Sequence, residues 1–462
     1  MANTLITTSY LTNEALEVLE NNLVIANKVN RQYSDEFGQK DFKIGATVNV
    51  RRPARYVGTF GPNLNVEDTN QTYIPVSINY QFHVDAQFTT ADMELQMGDF
   101  RPNVLEPAVA AVFNRIDSDT AYYAYQNTAL SLGTPGVSPT SYKTFSDTRA
   151  TLLSEGAPKG KVPCAVLDPF SMSSIADSLK GLFNPQVTVS DIYDMGLVAK
   201  KTAGLDFYED QNIPVWTSGG YGSTSVPVLA GVTASAGGSA ILSSGWAQTG
   251  TFFTSGWTAS TAVAVVGDIV QVAGVYPANP QNRGQYGKAL KQFVVIPPAG
   301  YAPMTGAAQP GGPQFAPAAL ANGTFTPSTG AYTSGSGGLL TLYVAECLIS
   351  GGQFQNCVTT SAFASTPALT INGQLTATKA TNGGLISPQS IVFYKDAFAL
   401  AFVDLPLPRG VQEAARANSK EIGMSLRVVT QYTINNDSLP TRFDVAYGIS
   451  SMYRQQAMRV AG

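Results

Sequence analysis

Charged residues are scarce in this sequence of 462 residues. Asp, Glu, Lys and Arg make up 13% of the chain, against about 25% in a typical soluble protein. The formal net charge is −4, which argues against a dedicated nucleic-acid binder, because such proteins need a dense Lys/Arg face to displace counterions from phosphates. A surface with so few charges also suits a free monomer poorly and favours burial against copies of the same chain.

Cysteines, secretion signals and long apolar runs are also few or absent. The three cysteines, Cys164, Cys347 and Cys357, are odd in number and lack CxxC spacing, so we expect the reduced thiols of a cytosolic product. The start "MANTLITTSYLTNEALE" has no basic segment followed by a sustained apolar one, so we expect no signal peptide. No run approaches the ~18 uninterrupted apolar residues of a membrane span.

The chain offers little for catalysis. The single histidine, His83, lies two residues from Asp85 on the polar face of a predicted strand, but no GxSxG motif accompanies the pair. Asp117 and Asp119 stand two positions apart on a predicted helix, point apart, and are expected to be solvated. We therefore predict that the protein is not an enzyme and uses no cofactor or metal.

Two helices and one long strand dominate the first third of the chain. Apolar residues at helical spacing predict helices over Thr12–Arg31 and Pro107–Asn127. From Ile74 to Phe88 apolar and polar residues alternate without a break, which predicts one strand about 50 Å long at ~3.3 Å per residue. Such an extended arm is marginal alone in water, so we expect it to lie against a neighbouring subunit.

A β-rich module with very low charge interrupts the second half of the chain. Between Thr217 and Ala345 the only charged residues are Asp268, Arg283, Lys288 and Lys291. The rest is Gly, Ser, Thr and Ala with short apolar runs such as "GDIVQVAGV", which is typical of a separate all-β insert. Its segment Ala302–Gly338 is so rich in Gly, Pro and Ala that we expect an irregular excursion.

Period-two alternation returns near the C-terminus, in "LRVVTQYTINNDSLPTRFDVAYG". The Asn/Asp cluster at 435–437 predicts a turn, and the runs on either side of it predict two paired strands. We interpret Arg427, Arg442 and Asp444 as structural ion-pair partners within or between subunits. The layout is that of an α+β protein with an extended arm early and an all-β insert late.

Longer motifs in the C-terminal part resemble a particular family. "SPQSIVFYKDAFALAFVDLPLPRGVQEAARA" and "GMSLRVVTQYTINNDSLPTRFDVAYGISSMYRQQAMRVAG" are similar to the major capsid, or coat, proteins of tailed bacteriophages, in the short-tailed-phage branch with an inserted domain. "GDIVQVAGVYPANPQ", "LKQFVV" and "GGQFQN" resemble the insert of that family and its exit. The resemblance covers most of the chain and is strongest after Ser387.

The resemblance implies the Hong Kong 97-type capsid fold, an α+β fold. By position, it divides the chain into an N-terminal arm (1–41), an E-loop (42–90), a peripheral domain with a spine helix (91–140), the first part of an axial domain (141–220), an inserted β domain (221–345) and the C-terminal part of the axial and peripheral domains (346–462).

The function implied by the resemblance is assembly of a virion shell. Members of the family form pentamers and hexamers that close into an icosahedral capsid around phage double-stranded DNA, through a scaffolded procapsid that expands on packaging. The expected partners are other copies of the chain, a scaffolding protein, a portal protein, a decoration protein in some shells, and DNA held by weak non-specific contact, with no membrane. The expected location is the virion capsid, assembled in the host cell cytoplasm.

Two sets of residues become candidates for contacts in such a shell. In the E-loop these are Arg51, Arg52, Arg55, Tyr80 and Phe82, although the basic motif "RRPAR" is equally compatible with a strand end on a solvated loop that makes no contact. In the insert, Arg283 and Lys288 are candidates for a charged contact loop.

Two other functions remain open at this point. The same fold serves in encapsulin-like cellular shells that enclose cargo, which would assemble without a scaffolding protein. A non-viral β-rich surface protein is the alternative from a different class, and the missing secretion signal counts against it.

Overall fold

The computed structural model describes most of the chain. The described residues are 23–32, 47–89, 106–179, 203–221, 223–229, 241–242, 246–298, 318–320, 322–327, 329–360, 363, 367–371, 385–419, 424–436 and 438–461. The predicted helix Thr12–Arg31 lies mainly outside them, and its described part contains a single helical turn, Ile25–Lys28.

Helices and strands are mixed along the chain. The helices are α1 (Ile25–Lys28), α2 (Glu106–Asn127), α3 (Tyr142–Ser154) and α4 (Pro169–Leu179). Short 3-10 helices cover Lys395–Ala397 and Arg454–Gln456. The strands are β1 (Thr47–Arg51), β2 (Tyr73–Ser77), β3 (Tyr80–Thr89), β4 (Leu130–Gly133), β5 (Cys164–Leu167), β6 (Asp206–Glu209), β7 (Val215–Thr217), β8 (Ser223–Leu229), β9 (Ile241–Leu242), β10 (Gly250–Trp257), β11 (Ala262–Val265), β12 (Ile269–Val272), β13 (Val275–Pro277), β14 (Gln292–Val294), β15 (Ala318–Ala319), β16 (Thr324–Thr326), β17 (Ala331–Thr333), β18 (Leu340–Val344), β19 (Leu348–Ile349), β20 (Cys357–Thr359), β21 (Leu369–Ile371), β22 (Ile386–Phe393), β23 (Phe398–Val403), β24 (Glu413–Ser419), β25 (Met424–Thr430), β26 (Ser438–Ser451) and β27 (Ala457–Ala461). The predicted α+β class is confirmed.

The chain divides into two compact units. The first unit comprises residues 1–50, 75–120 and 398–452, and the second comprises residues 51–74, 121–397 and 453–462. The predicted helix Pro107–Asn127 is present as α2, which begins one residue earlier, at Glu106.

The first unit is built on a five-stranded antiparallel sheet. Its order is β23-β26-β25-β24, with β3 paired along β26. The predicted C-terminal strand pair is present as β25 and β26, in the register that sets Arg427 opposite Asp444. Inward-facing Leu426, Val428 and Phe443 are each almost fully buried, so period-two patterning does place one face of this sheet in the core.

The long strand predicted from Ile74 to Phe88 is wrong in two respects. It is broken at Ile78–Asn79 into β2 and β3. The whole of β3 then pairs with Ser438–Tyr447 of the same chain, so this strand needs no neighbouring subunit for support. Alternation of apolar and polar residues specifies a strand and its two faces, but it carries no information on which edge the strand will meet.

The second unit contains a six-stranded sheet covered by helices. The order is β4-β27-β22-β5-β6, and β7 pairs with the start of β22. Helix α3 is preceded by its N-cap Ser141, whose hydroxyl accepts a hydrogen bond from the Lys143 backbone amide. The core between helices and sheet contains apolar side chains from both layers, including Phe145, Leu152, Met172, Ile175, Phe207, Val392, Met458 and Val460.

The low-charge module forms several small antiparallel sheets around its own core. Its aromatic centre includes Phe252 and Phe293, whose ring centroids lie 5.3 Å apart in an edge-to-face arrangement. Strands β20 and β21, which follow Ala345 in the chain, pair with β13 and β12 of the module. The prediction of an irregular segment over Ala302–Gly338 is wrong for its second half, where β15, β16 and β17 form a sheet with β11.

A glycine in β26 permits a close backbone contact in the first unit. A Cβ atom placed on Gly448 would lie 2.1 Å from the Ser77 carbonyl oxygen and 2.8 Å from its carbonyl carbon. Both neighbours are backbone atoms at the end of β2, so no side-chain rotation relieves the overlap. Glycine at this position therefore sets how closely β26 can approach the β2 end.

We expect Gly448→Ala to lower the free energy of unfolding of the subunit by more than about 2 kcal/mol, because backbone must move to admit the methyl group. Urea unfolding followed by circular dichroism measures the change. Gly160→Ala is the matched control, since a Cβ there would meet nothing within 4 Å. Equal stability of the two variants would contradict the close-approach argument.

Candidate functional site

A long surface loop joins β1 and β2. Residues 52–72, termed the exposed loop from here on, contain no helix or strand. Three of its apolar side chains face solvent: Phe60 is 107% exposed, Leu64 90% and Val66 77%. Loops of this length without secondary structure are uncommon in compact domains and are usually functional, and adjacent exposed apolar side chains mark interaction sites.

The basic motif at the start of the exposed loop separates into two kinds of arginine. Arg51 is exposed. The Arg52 guanidinium carbon lies 5.0 Å from the centroid of the Tyr453 ring and 5.8 Å from that of Trp246, both within cation–π range. Burial lowers the pKa of both Arg52 and Arg55. Of the three predicted contact arginines, Arg52 thus contacts aromatic residues of its own unit, Arg55 is partly buried and Arg51 is exposed.

A buried charge network lies in the same unit. The Lys291 ammonium is 3.4 Å from a Glu346 carboxylate oxygen, and Lys291 is only 6% exposed. Burial by itself lowers the pKa of Lys291, but Glu346 and Glu155 together raise it above its usual value. Burial acts to raise the pKa of Glu346, and the cations Lys291 and Arg454 outweigh it, so that this pKa is lowered. Both partners are therefore held in their charged forms.

Glu155 belongs to the same network, since its charge acts on Lys291, and it also accepts a hydrogen bond from a tyrosine. The Tyr286 hydroxyl donates a hydrogen bond to a Glu155 carboxylate oxygen. Burial raises the pKa of Glu155, and burial together with this carboxylate raises the pKa of Tyr286. The sequence marks neither Glu155 nor Tyr286 as a candidate, because the two residues are 131 positions apart and only the fold brings them together.

Arg454 holds three segments of the second unit together. Its guanidinium donates to the backbone carbonyls of Gln248, at 2.7 Å, and Ala345. It also donates to the Asn127 side-chain oxygen at 3.2 Å. Gln248 precedes β10 and Ala345 follows β18, and these two strands are paired. One side chain therefore closes the base of the low-charge module against the end of α2.

The two insert residues predicted as contacts have different environments. The Arg283 guanidinium donates to the Tyr56 backbone carbonyl, with Nη2 and the oxygen 2.7 Å apart. Lys288, five residues further along the same turn region, is exposed. Arg283 thus contacts the exposed loop of its own chain, and Lys288 faces solvent.

The three predicted ion-pair residues form one group around a buried carboxylate. Asp444 is fully buried, and its Oδ2 lies 2.5 Å from Arg427 Nη2. Its other oxygen, Oδ1, lies 2.6 Å from Arg442 Nε. Arg427 also donates to the Pro406 carbonyl at 2.7 Å. Residues on β25, on β26 and in the segment after β23 are joined in this way, and the exposed Asp85 of β3 lies 4.0 Å from Arg442.

The helix carboxylates predicted to be solvated are instead buried. Asp117 is 1% exposed and accepts a hydrogen bond from the Ala26 backbone amide at 2.9 Å. Asp119 is 2% exposed and accepts from the Tyr447 hydroxyl at 2.5 Å and from Arg115 at 3.0 Å. Burial raises the pKa of Asp119. The prediction was wrong because α2 is packed on several sides, so that separate faces of the helix are each covered.

Two predicted E-loop aromatics contact their own chain. The Tyr80 ring stacks on that of Tyr447, with centroids 5.5 Å apart, and the Phe82 ring lies 5.9 Å from the Arg115 guanidinium carbon. Both are partly buried. The histidine–carboxylate pair on the opposite face, His83 and Asp85, is 3.0 Å apart and solvent-exposed.

Within the described ranges, no cluster of three or more His, Cys, Asp or Glu side chains is arranged to hold a metal ion. The described helices include none long and apolar enough to cross a membrane.

Comparison with protein families gives a direct result. A family model described as "P22 coat protein - gene protein 5" matches residues 1–305. The chain belongs to the P22 coat protein family. The insert motifs "GDIVQVAGVYPANPQ" and "LKQFVV" lie inside the matched range, whereas the C-terminal motifs lie beyond it. The predicted identity as a bacteriophage coat protein is confirmed, and a coat protein is a structural component of the virion capsid.

Among solved structures, three that are similar to this chain can be named. A structure titled "Mycobacterium phage Che8" is 9% identical, with a TM-score of 0.41 over 95% of this chain and 90% of that chain. The capsid of Cyanophage P-SCSP1u is 8% identical, with a TM-score of 0.41 over 95% and 87%. The head structure of Helicobacter pylori bacteriophage KHP40 is 8% identical, with a TM-score of 0.39 over 95% and 88%. No curated protein sequence matches this coat protein.

Replacing the buried carboxylate of the Arg427–Asp444–Arg442 group should destabilise the coat protein subunit. We expect Asp444→Asn to lower the free energy of unfolding by about 3 kcal/mol, because Arg427 loses its buried counter-charge. Asp85→Asn, at an exposed carboxylate near the same Arg442, should change it by less than about 0.5 kcal/mol. Urea unfolding of both variants checks the difference, and similar values would show that the group contributes no buried ion pairing.

The stability of the coat protein subunit should depend on the protonation of Asp119. Since burial raises its pKa in the folded state, the folded protein binds this proton more tightly than the unfolded chain does. The contribution is fully present below the unfolded pKa of about 3.9 and is lost as pH rises through the raised value. Asp119→Asn removes the titration, so the variant should gain stability relative to wild type as pH rises.

Urea unfolding at a series of pH values between about 4 and 7 measures this trend. Asp147→Asn serves as the control, because Asp147 is an exposed partner in an i,i+4 pair with Lys143. Its difference from wild type should stay within about 0.5 kcal/mol throughout. A pH-independent difference for Asp119→Asn would contradict the raised pKa.

Proposed function

We propose that this coat protein assembles as pentamers and hexamers into an icosahedral shell of the Hong Kong 97 type around phage double-stranded DNA. Assembly takes place in the host cytoplasm around a scaffolding protein, a portal protein occupies one vertex, and the procapsid expands on packaging. A decoration protein is a further candidate partner of the shell. Family membership supports the shell role. The exposed loop supports the choice of particular residues as contacts between copies.

We assign the domains by position, as the family suggests. Residues 1–41 are the N-terminal arm, 42–90 the E-loop, 91–140 the peripheral domain with the spine helix, 141–220 the first part of the axial domain, 221–345 the inserted β domain and 346–462 the remainder. The helix Glu106–Asn127 is the described element that fits a spine helix by length.

The surface that joins one copy to the next is, on this proposal, the exposed loop. Phe60, Leu64 and Val66 project into solvent in a protein whose family forms shells, and burying them against a neighbouring copy removes apolar area from water at about 25 cal/mol per Å². Arg51 is exposed at the start of the loop and is available to an acidic segment of the neighbour.

The other candidate contacts follow from their exposure. Arg52, Arg55, Tyr80 and Phe82 are partly exposed, and a neighbouring copy would cover their remaining accessible surface. Lys288, exposed on the insert, is the candidate for a charged contact with another copy. The net charge of −4 suits a shell that encloses DNA by weak, non-specific contact.

Negative-stain electron microscopy tests the shell. The protein is expressed alone and together with the candidate scaffolding protein encoded beside its gene. Closed, uniform shells that require the scaffolding protein support the proposal. Shells that form without it favour the encapsulin-like cellular compartment, and a stable monomer under both conditions contradicts a shell role and reopens the β-rich surface protein.

The loop contact has its own test. We expect Phe60→Asp with Leu64→Asp to leave a folded subunit that forms no shells, because two carboxylates replace apolar side chains at the contact. Asn63→Asp with Asn65→Asp adds the same charge to the same loop without removing apolar area, and should still form shells. Circular dichroism verifies folding, and electron microscopy counts shells. Normal shells from the Phe60/Leu64 variant would exclude the loop as a contact.

A further inference from the structure

The exposed loop is tied across its own base. The Tyr56 hydroxyl and the Thr69 hydroxyl share a hydrogen bond at 3.0 Å. The Val57 backbone amide donates to a Glu67 carboxylate oxygen at 2.6 Å. These two bonds join the outgoing limb of the loop to the returning limb and separate residues 58–66, the loop tip, from the rest. Phe60, Leu64 and Val66, the most exposed large apolar side chains of the loop, all lie in this tip.

Two side chains outside the loop, one in the low-charge insert and one in the segment that follows it, each donate a hydrogen bond to one limb of the loop. Arg283 Nη2 donates to the Tyr56 carbonyl at 2.7 Å, and Gln353 Nε2 donates to the Asp68 carbonyl at 2.8 Å. The two donors come from positions 70 residues apart in the sequence, and their acceptors lie on opposite sides of the tied base. Both acceptors are main-chain carbonyls, so these two hydrogen bonds fix the path of the backbone whatever side chains the tip carries.

Arg283 itself is held in place to make this contact. Its backbone has a φ of +57°, an unusual conformation for a residue with a side chain, and its amide donates to the Asn279 carbonyl at 2.8 Å. The Gln281 amide donates to the Asn279 side-chain oxygen at 2.8 Å and the Gly284 amide to that of Asn282 at 2.9 Å. The turn is thus rigid through its own hydrogen bonds.

We infer that the insert and the segment that follows it form an intramolecular brace, in which Arg283 of the insert and Gln353 of the following segment hold the base of the exposed loop so that its apolar tip is presented, already ordered, to a second copy of the chain. This inference rests on the proposed shell function and adds a role for the insert in it. Ordering a free loop costs about 1–2 kcal/mol per residue in backbone entropy. A loop ordered before association makes that association faster and tighter.

The two hydrogen bonds of this brace are made within one chain. The brace is therefore distinct from a contact between copies. Removing Arg283 and Gln353 side chains leaves the tip residues and their apolar area intact, so any loss of assembly comes from loss of order. Lys288 and Gln281 lie in the same region of the insert and are both exposed. They supply a control in which a cation and an amide are removed from the same turn region.

The test compares Arg283→Ala/Gln353→Ala with Lys288→Ala/Gln281→Ala in the full-length chain. The first readout is hydrogen exchange in the unassembled subunit. The brace variant lacks two hydrogen bonds, so we expect the Val57 amide and the amides of residues 58–66, apart from Pro62, to exchange about tenfold faster than in wild type. In the control variant we expect their exchange rates to be unchanged. The second readout is the rate of shell assembly by light scattering, expected to fall about tenfold in the brace variant only.

Two further variants keep the test decisive. Arg283→Lys retains a donor for the Tyr56 carbonyl and should recover much of the protection. Gln353→Glu preserves size at a half-exposed position while removing the donor to Asp68, so it remains informative if the double variant folds poorly. Unchanged exchange or unchanged assembly in the brace variant, with wild type assembling normally, would overturn the brace. Failure of wild type to form shells would overturn the shell function instead, and the exchange comparison would still decide whether the insert orders the loop.

Discussion

A charge removed from water needs a counter-charge or several hydrogen bonds, and this constraint organises both units of the protein. The chain is poor in charge, yet it places Asp444, Asp119 and Lys291 where less than a tenth of each residue is exposed. Each such group restricts where its partners can lie. Asp444 joins β26 to β25 through Arg427 and also pairs with Arg442 of its own strand. This geometry tolerates no slip in register, because a one-residue shift would turn the carboxylate to the opposite face.

The same constraint explains why the insert is more than a decorative β module. Lys291 lies at its edge and pairs with Glu346, while the neutral hydroxyl of Tyr286 meets Glu155. Apolar contacts alone give strong but non-directional association. The buried polar contacts add direction, so that the module, the exposed loop and the sheet of the second unit meet in one arrangement. Rigidity in this unit is what allows a loop without secondary structure to have a defined path.

Sequence patterns predicted local structure here better than they predicted partners. The alternation through Leu426 and Phe443 predicted the strand pair, and the spacing in Pro107–Asn127 predicted the helix within one residue. The partner of β3 lies some 360 residues away in the chain, and no local period encodes it. The prediction that Asp117 and Asp119 are solvated was wrong for a related reason. Helical spacing assigns residues to faces of a helix but does not tell how many of those faces are covered. Arg427, Arg442 and Asp444 could be singled out because charges are rare in the chain, whereas Arg454 stood in a segment with no pattern to mark it.

Arg454 is one of the contacts that attach the module to the rest of its unit. Its guanidinium donates to the carbonyls of Gln248 and Ala345, which lie at the same end of the paired strands β10 and β18, and to the side-chain oxygen of Asn127 at the end of α2. Sequence between Gln248 and Ala345 can therefore change while this attachment is kept, provided that the two flanking carbonyls still converge on that guanidinium. Tyr286, Lys291 and Arg283 lie within the same stretch and make further contacts with the rest of the unit. A foreign domain grafted into this coat protein would have to satisfy the same simple rule: its two ends must leave the graft side by side, at the spacing of neighbouring strands.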